Sequence, residues 1–118
     1  MSKHNETGVN GEQEAAKFLE GKGYTILHRN WSFKQMEVDL IAQKGDYLVF
    51  VEVKTRDSHR FGYPEEFVTK QKQKFLKLTA EEFITLHPTD LKVQFDVVSI
   101  IMDNKTVKEL VHFEDAFY

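Results

Sequence analysis

The sequence predicts an α/β fold in which one mixed β-sheet carries a helix on each face. Two segments with apolar residues three and four positions apart have the pattern of amphipathic helices. Three strand-like hydrophobic segments lie between them, and another follows the second helix, so the predicted core order is α-β-β-β-α-β. The chain has 118 residues, 41% hydrophobic and 30% charged, which suits a single domain over residues 1–118.

Periodicity and turn residues set the predicted bounds of these elements. The first helix begins near Asn5 or Thr7 and ends at Gly21-Lys22-Gly23, a typical stop signal. Strands are predicted over 24–29, 36–42 and 47–54, and Gln43-Lys44-Gly45-Asp46 forms the hairpin turn between the last two. After a loop over 55–66, the second helix runs over 67–86 and ends before Pro88. The last predicted strands cover 93–101 and 107–113.

Composition excludes several classes of protein. There is no cysteine, which rules out disulfides, iron–sulfur clusters, thiol nucleophiles and cysteine-based zinc sites, and which fits a reducing compartment. The N-terminal residues lack the apolar segment of a secretory signal, and no apolar run is long enough to cross a membrane. We therefore expect a cytoplasmic protein without a membrane partner.

Basic residues are concentrated in one part of the chain. The formal net charge is −3, which argues against coating of nucleic acid by bulk electrostatics. Seven of the 16 basic residues nevertheless lie between positions 54 and 77: Lys54, Arg56, Arg60, Lys70, Lys72, Lys74 and Lys77. Such a cluster is either a solvated surface or an edge that faces a polyanion.

Carboxylates are predicted to meet on one face of the sheet. Strand alternation places Glu37 and Asp39 on one face of the second strand, and it places Glu52 and Lys54 on one face of the third. The apolar stripe of the first helix includes the position of Glu12, and we expect this helix to pack on the same face. Each residue alone could be a solvated strand-end group. Together they indicate a site, because buried charges are costly unless they are paired or bind a metal.

The residue types select the chemistry. Oxygen ligands without an organised cysteine or histidine set favour Mg²⁺ or Mn²⁺, and we expect no other small-molecule cofactor. Such an ion can polarise a phosphate oxygen, while a nearby lysine orients water or offsets charge on phosphorus. The expected reaction is metal-assisted hydrolysis of phosphodiesters.

The ordered motifs resemble a known family. Asp39 followed by Glu52-Val53-Lys54 resembles the D-x(n)-E-x-K signature of the PD-(D/E)XK nuclease superfamily. The match is closer to the YraN-like family, which is similar to Holliday-junction resolvases. It departs at Met36, where that family usually has glycine. The segments that carry the resemblance are Gly11-Glu12, Gly23-Tyr24, Arg29-Asn30-Trp31, residues 37–42 and 50–56, Phe61-Gly62, Lys72-Gln73, residues 95–98 and residues 113–117.

The resemblance implies a restriction-endonuclease-like three-layer α/β/α fold and a set of roles. Asp39, Glu52 and Lys54 would be catalytic, with Glu12 as the helix-borne acid. The metal ligands would be Asp39, Glu52 and Glu12, with Glu37 as an accessory ligand.

Nucleic-acid contacts are predicted from the basic stretch and from the second helix. Lys72 is either a side chain whose stem packs against apolar surface or a phosphate contact beside the metal. The predicted nucleic-acid-binding residues are Arg56, Arg60, Lys70, Lys72, Gln73 and Lys74.

Two functions remain open. The first is a Mg²⁺-dependent endonuclease that acts on DNA, including branched or recombination intermediates. The alternative is a non-catalytic module that binds nucleic acid or docks a partner. The choice between DNA and RNA, and the formation of a homodimer, are also open.

Overall fold

The chain folds around one five-stranded sheet. The structure is a computed structural model that describes residues 6–57 and 68–117. Its elements are α1 (Glu6–Gly21), β1 (Thr25–Phe33), β2 (Met36–Lys44), β3 (Tyr47–Asp57), α2 (Lys70–Leu86), β4 (Lys92–Asp103) and β5 (Thr106–Phe117). None of the helices in this described part is long and apolar enough to cross a membrane.

The sheet is mixed, as predicted. The strands lie in the order β1-β2-β3-β4-β5. Neighbouring strands are antiparallel except β3 and β4, which are parallel. A parallel pair needs a crossover, and α2 lies within the connection between these two strands.

The two helices pack against opposite faces of the sheet, because β3 is apolar on both. Odd-numbered β3 residues join one buried cluster with α1: Ala15, Ala16, Leu19, Val49, Val51 and Val53. Even-numbered β3 residues join another cluster with α2: Leu48, Phe50, Leu76, Ala80 and Phe83. Burial of these apolar groups is the main stabilising contribution to the layered arrangement.

Several elements differ from the predicted bounds: β3 runs to Asp57, into the predicted loop, and β5 runs to Phe117 instead of ending at residue 113. β1 extends to Phe33, beyond the predicted end at residue 29, because an edge strand tolerates polar residues such as Asn30 and Ser32. α2 begins at Lys70, and its predicted start at Phe67 lies outside the described residues. Thr69 caps this helix, since its side-chain oxygen accepts a hydrogen bond from Lys72 N at 3.1 Å.

A buried carboxylate ties together β4, β5 and the start of β1. Asp96 is fully buried. It accepts hydrogen bonds from Tyr24 Oη at 3.0 Å, Gln94 Nε2 at 2.9 Å and Asp115 N at 3.0 Å. His112 Nε2 lies 2.7 Å from the same carboxylate. The buried charge is thus surrounded by hydrogen-bond partners, as such a group requires.

His112 links Lys22 to Asp96. Lys22 Nζ lies 2.8 Å from His112 Nδ1, and because an ammonium group can only donate, Nδ1 accepts and Nε2 carries the proton. Burial acts to raise the pKa of Asp96, but the hydrogen bonds outweigh it and hold that pKa below its ordinary value. Burial and the Asp96 charge raise the pKa of Tyr24, which stays a neutral donor.

We expect Asp96→Asn to destabilise the fold by on the order of 2–3 kcal/mol, because hydrogen bonds to a charged acceptor are lost. A lowered pKa in the folded state stabilises the protein above the unfolded-state pKa and ceases to do so as pH falls through the folded value. The loss on substitution should therefore be large at pH 7 and should shrink below about pH 4. Urea unfolding at pH 3–7 measures this, with the exposed Asp103→Asn as control. Equal pH profiles for the two variants would contradict the account.

Candidate metal-binding and catalytic site

β2 and β3 separate at the point where the candidate site lies. Their pairing runs from Lys44–Tyr47 to Leu40–Val51. Beyond it, Val53 N donates a 2.7 Å hydrogen bond to Asp39 Oδ2 instead of to a backbone carbonyl of β2. The Asp39 side chain thus replaces a backbone carbonyl of β2 as the hydrogen-bond acceptor, and this contact fixes the position of the Asp39 carboxylate.

Strand alternation is interrupted at the same point. Val38 packs in the cluster on the α2 side, whereas Leu40 packs in the cluster on the α1 side. Strict alternation would place these two residues on one face. The prediction that Glu37 and Asp39 share a face therefore fails. Glu37 is exposed and pairs with Ser32 of β1.

Glu52 is a buried carboxylate with two ammonium groups beside it. Only 6% of Glu52 is exposed. Its Oε2 lies 3.4 Å from Lys54 Nζ and 3.8 Å from Lys72 Nζ. The predicted common face of Glu52 and Lys54 is confirmed by their contact. A carboxylate buried this deeply needs such partners.

The first turn of α2 brings Lys72 and Gln73 to the site. Lys72 Nζ lies 3.8 Å from Glu52 Oε2 and 5.9 Å from the centroid of the Phe75 ring, and its contact with phosphate stays a prediction. Gln73 is half-buried, and its side-chain amide donates to Val68 O at 3.2 Å. This contact anchors Gln73 to the segment that leads into the helix.

Glu52 is close enough to Asp39 to affect the ionisation of Asp39. Burial is the largest influence on the pKa of Asp39, followed by repulsion from Glu52. The hydrogen bond from Val53 and the charge of Lys72 act in the opposite direction, and Glu12 adds a smaller repulsion. The net effect raises the pKa of Asp39 to about 8. The folded protein therefore favours the protonated form of Asp39, and a bound cation would favour the ionised form instead.

Glu12 approaches the pair from the other side of the sheet. The prediction that α1 covers the face of Glu52 and Lys54 is wrong, because α1 packs on the opposite face. Gly11 lies so close to β3 that an added Cβ would overlap Thr55 Oγ1. This close approach holds the start of α1 against the end of β3, where the Glu12 charge still acts on Asp39.

The predicted four carboxylates are not brought together. Within residues 6–57 and 68–117, no three carboxylate or imidazole side chains form a group that could hold a metal ion. The arrangement is instead the pair Asp39 and Glu52, with Glu12 nearby and Glu37 apart. Ligation by Glu12 stays a prediction.

The structure describes three of the remaining predicted basic residues. Arg56 follows Lys54 by two residues near the end of β3. Lys70 and Lys74 are exposed and lie one turn apart on α2. Arg60 lies outside the described residues.

Sequence reasoning missed the network around Asp96. The available signal was a charged residue inside an apolar strand, between Phe95 and Val97. Its partner His112 is distant in sequence, so spacing alone could not pair them.

Fold and site together define a class of protein. It is a mixed-sheet α/β protein in which β2 and β3 separate and place the carboxylates of Asp39 and Glu52 beside two lysines. The sequence model of the uncharacterised protein family UPF0102 matches residues 11–100, so the chain belongs to this family. This membership confirms the predicted resemblance to the YraN-like family, while placement in the PD-(D/E)XK superfamily stays a prediction.

Relatives match over almost their whole length. The chain is 44% identical over 118 residues to the UPF0102 protein FP2501 of Flavobacterium psychrophilum, covering all of this chain and 98% of that protein. It is 48% identical over 114 residues to a UPF0102 protein of Caldicellulosiruptor saccharolyticus, covering 95% and 97%. It is 41% identical over 118 residues to one from Phocaeicola vulgatus, covering all of this chain and 97% of that protein.

Proposed function

We propose that the protein is a divalent-metal-dependent endonuclease of the restriction-endonuclease-like class, which hydrolyses DNA phosphodiesters, with branched intermediates among its substrates. The observation that carries this proposal is the Asp39–Glu52 pair at the separation of β2 and β3, with Lys54 Nζ 3.4 Å from Glu52. A pure binding surface has no need to hold two repelling carboxylates beside a lysine.

The donor set fits Mg²⁺ or Mn²⁺. Asp39 and Glu52 offer hard oxygen ligands, and Mg²⁺ is commonly held by one or two carboxylates together with water and substrate phosphate. Burial, and next to it repulsion from Glu52, raise the pKa of Asp39, and a bound cation would offset both effects. When bound, the ion would neutralise the carboxylates and withdraw electron density from a phosphate oxygen.

The chain's own residues supply positioning and charge. The Val53 N–H holds the Asp39 carboxylate in place before substrate arrives. Lys54 is partly exposed beside Glu52, where its ammonium group can hold the attacking water or offset charge on the phosphate. Lys72 adds a second positive charge beside the same oxygen of Glu52.

Phosphate binding by α2 gives a salt-dependent prediction. We expect Lys70→Ala/Lys74→Ala to weaken binding of duplex DNA and to reduce the magnitude of the log–log salt slope by roughly 1–2, since each phosphate contact contributes about 0.9. Fluorescence anisotropy at several salt concentrations measures the slope. Lys17→Ala/Lys108→Ala removes two exposed lysines from other elements as a control. The same slope for all three proteins would mean that α2 does not contact phosphate.

The test of function is incubation of purified protein with labelled duplex, flap, single-stranded and four-way DNA in Mg²⁺, Mn²⁺ or EDTA. We expect cleavage of at least one substrate with a metal and none with EDTA. Tight binding without cleavage under every metal condition would favour the alternative, a non-catalytic nucleic-acid-binding module.

A further inference from the structure

A cavity adjoins the candidate site on the same face of the sheet. Pairing between strands places Glu52 of β3 beside Val97 of β4, and Val97 beside Phe113 of β5. Adjacent strands are about 4.8 Å apart, so Phe113 lies roughly 10 Å from Glu52 across the sheet. The first turn of α2 borders both features, because Lys72 reaches Glu52 while Gln73 lines the cavity.

The cavity has the size and lining of a small-molecule site. Its volume is about 490 Å³. Its apolar lining residues are Val68, Val97, Phe113, Ala116 and Phe117. Ligand sites of this size are typically apolar with a few polar groups, and the polar lining residues here are Gln73, whose amide is anchored to Val68 O, together with His112 and Glu114.

Phe113 and Phe117 both line the cavity, but their rings have different surroundings. Phe117 stacks on Phe95, with ring centroids 5.1 Å apart and planes 14° apart. Phe113 is half-buried and lines the cavity. Its ring is therefore available to a planar group that enters the cavity.

We infer that this cavity binds an unstacked nucleobase of a nucleotide near the scissile phosphate. The inference rests on the proposed function and names its substrate class: DNA that is single-stranded or unpaired where it is cut. A ligand that fills this cavity and also contacts Lys54 and Lys72 needs a planar apolar group joined to an anionic group. A nucleotide has both, because its base is planar and its phosphate is anionic. A base in a duplex would first have to leave the stack, which disfavours fully paired DNA.

The test compares two oligonucleotides of equal charge. Fluorescein-labelled dT15 and an abasic 15-mer have the same phosphates, but only dT15 has bases. Anisotropy in Ca²⁺ buffer, with intact oligonucleotide checked on a gel afterwards, should show that wild type binds dT15 about tenfold more tightly, since stacking of one base on an aromatic ring is worth an effect of this order.

Two variants of the cavity lining test whether the preference for dT15 depends on this cavity. Phe113→Leu keeps an apolar side chain without a π face, and Ala116→Trp fills the cavity from an exposed position without changing charge. Both should reduce the preference to about twofold or less and leave affinity for the abasic 15-mer unchanged. Tyr47→Leu removes an exposed ring at the other end of β3 and should keep the preference. Ala116→Trp answers the question if Phe113→Leu fails to fold.

Three results would overturn the inference. Equal affinity of wild type for both oligonucleotides would exclude the base site while leaving phosphate binding intact. An unchanged preference in both cavity variants would place the base elsewhere. A dimer of wild type that either variant dissociates in analytical ultracentrifugation would make a second copy of the chain the occupant. Absence of binding to both oligonucleotides would instead contradict the proposed function itself.

Discussion

Glu52→Gln and Lys54→Ala should each reduce cleavage of the preferred DNA substrate by on the order of 10²- to 10⁴-fold. Glu52 provides one of the two coupled carboxylates, and Lys54 provides the ammonium group 3.4 Å from it. Losing a positioned charged group at the point of reaction typically has an effect of this size. Single-turnover cleavage in Mg²⁺ measures the loss.

The two substitutions keep the surrounding structure. Glutamine preserves the volume of the buried Glu52, and Lys72 remains beside Glu52 when Lys54 is removed. Circular dichroism and thermal unfolding check that each variant folds. Lys108→Ala, an exposed change on β5, should cleave like wild type. Undiminished cleavage by either site variant, in protein free of contaminating nuclease, would rule out this assignment of the site.

Asp39→Asn should stabilise the metal-free protein at neutral and alkaline pH. The pKa of Asp39 is raised from its ordinary 3.8 to about 8, with burial as the largest cause and Glu52 the next. Between these two pKa values, the folded state keeps a proton that the unfolded state has released. The free energy of unfolding of wild type therefore falls as pH rises from about 4 to about 8. Asparagine cannot ionise, and its oxygen can still accept the Val53 hydrogen bond.

The increase in the free energy of unfolding caused by Asp39→Asn should be on the order of 1–3 kcal/mol at pH 8 and should approach zero near pH 4. Urea unfolding of both proteins at pH 4–9 in EDTA measures it, and Asp103→Asn serves as the exposed control. A destabilised Asp39→Asn at pH 8 would mean that the carboxylate forms favourable contacts stronger than its repulsion from Glu52.

The sequence predicted the charged end of β3 well. Glu52 and Lys54 are two residues apart on a strand, and strand geometry alone places such residues on one face. The mixed sheet was also predictable, because the helical and strand periodicities are distinct and the intervening turns carry clear signals.

The side of the sheet covered by each helix was not predictable. β3 is apolar at both odd and even positions, so its pattern fits a helix on either face. The interruption of strand alternation at Asp39 was not predictable for a related reason. Val38 and Leu40 have the spacing of one regular face, and only their packing in different buried clusters shows that they lie on opposite sides of the sheet. The Asp96 network depends on contacts between β4, β5 and the residues that follow α1, which local patterns do not specify.

The central claim is that Asp39 and Glu52 form a divalent-cation site, and binding of Mn²⁺ followed by electron paramagnetic resonance tests it most directly. Free Mn²⁺ gives a strong signal that is reduced on binding, so a titration counts bound ions without any substrate. We predict one saturable Mn²⁺ per wild-type chain, displaced by excess Mg²⁺, and loss of that ion in both Asp39→Asn and Glu52→Gln but not in Asp103→Asn. Wild type that binds no more Mn²⁺ than the Asp39→Asn and Glu52→Gln variants would contradict the metal site and the nuclease mechanism that depends on it.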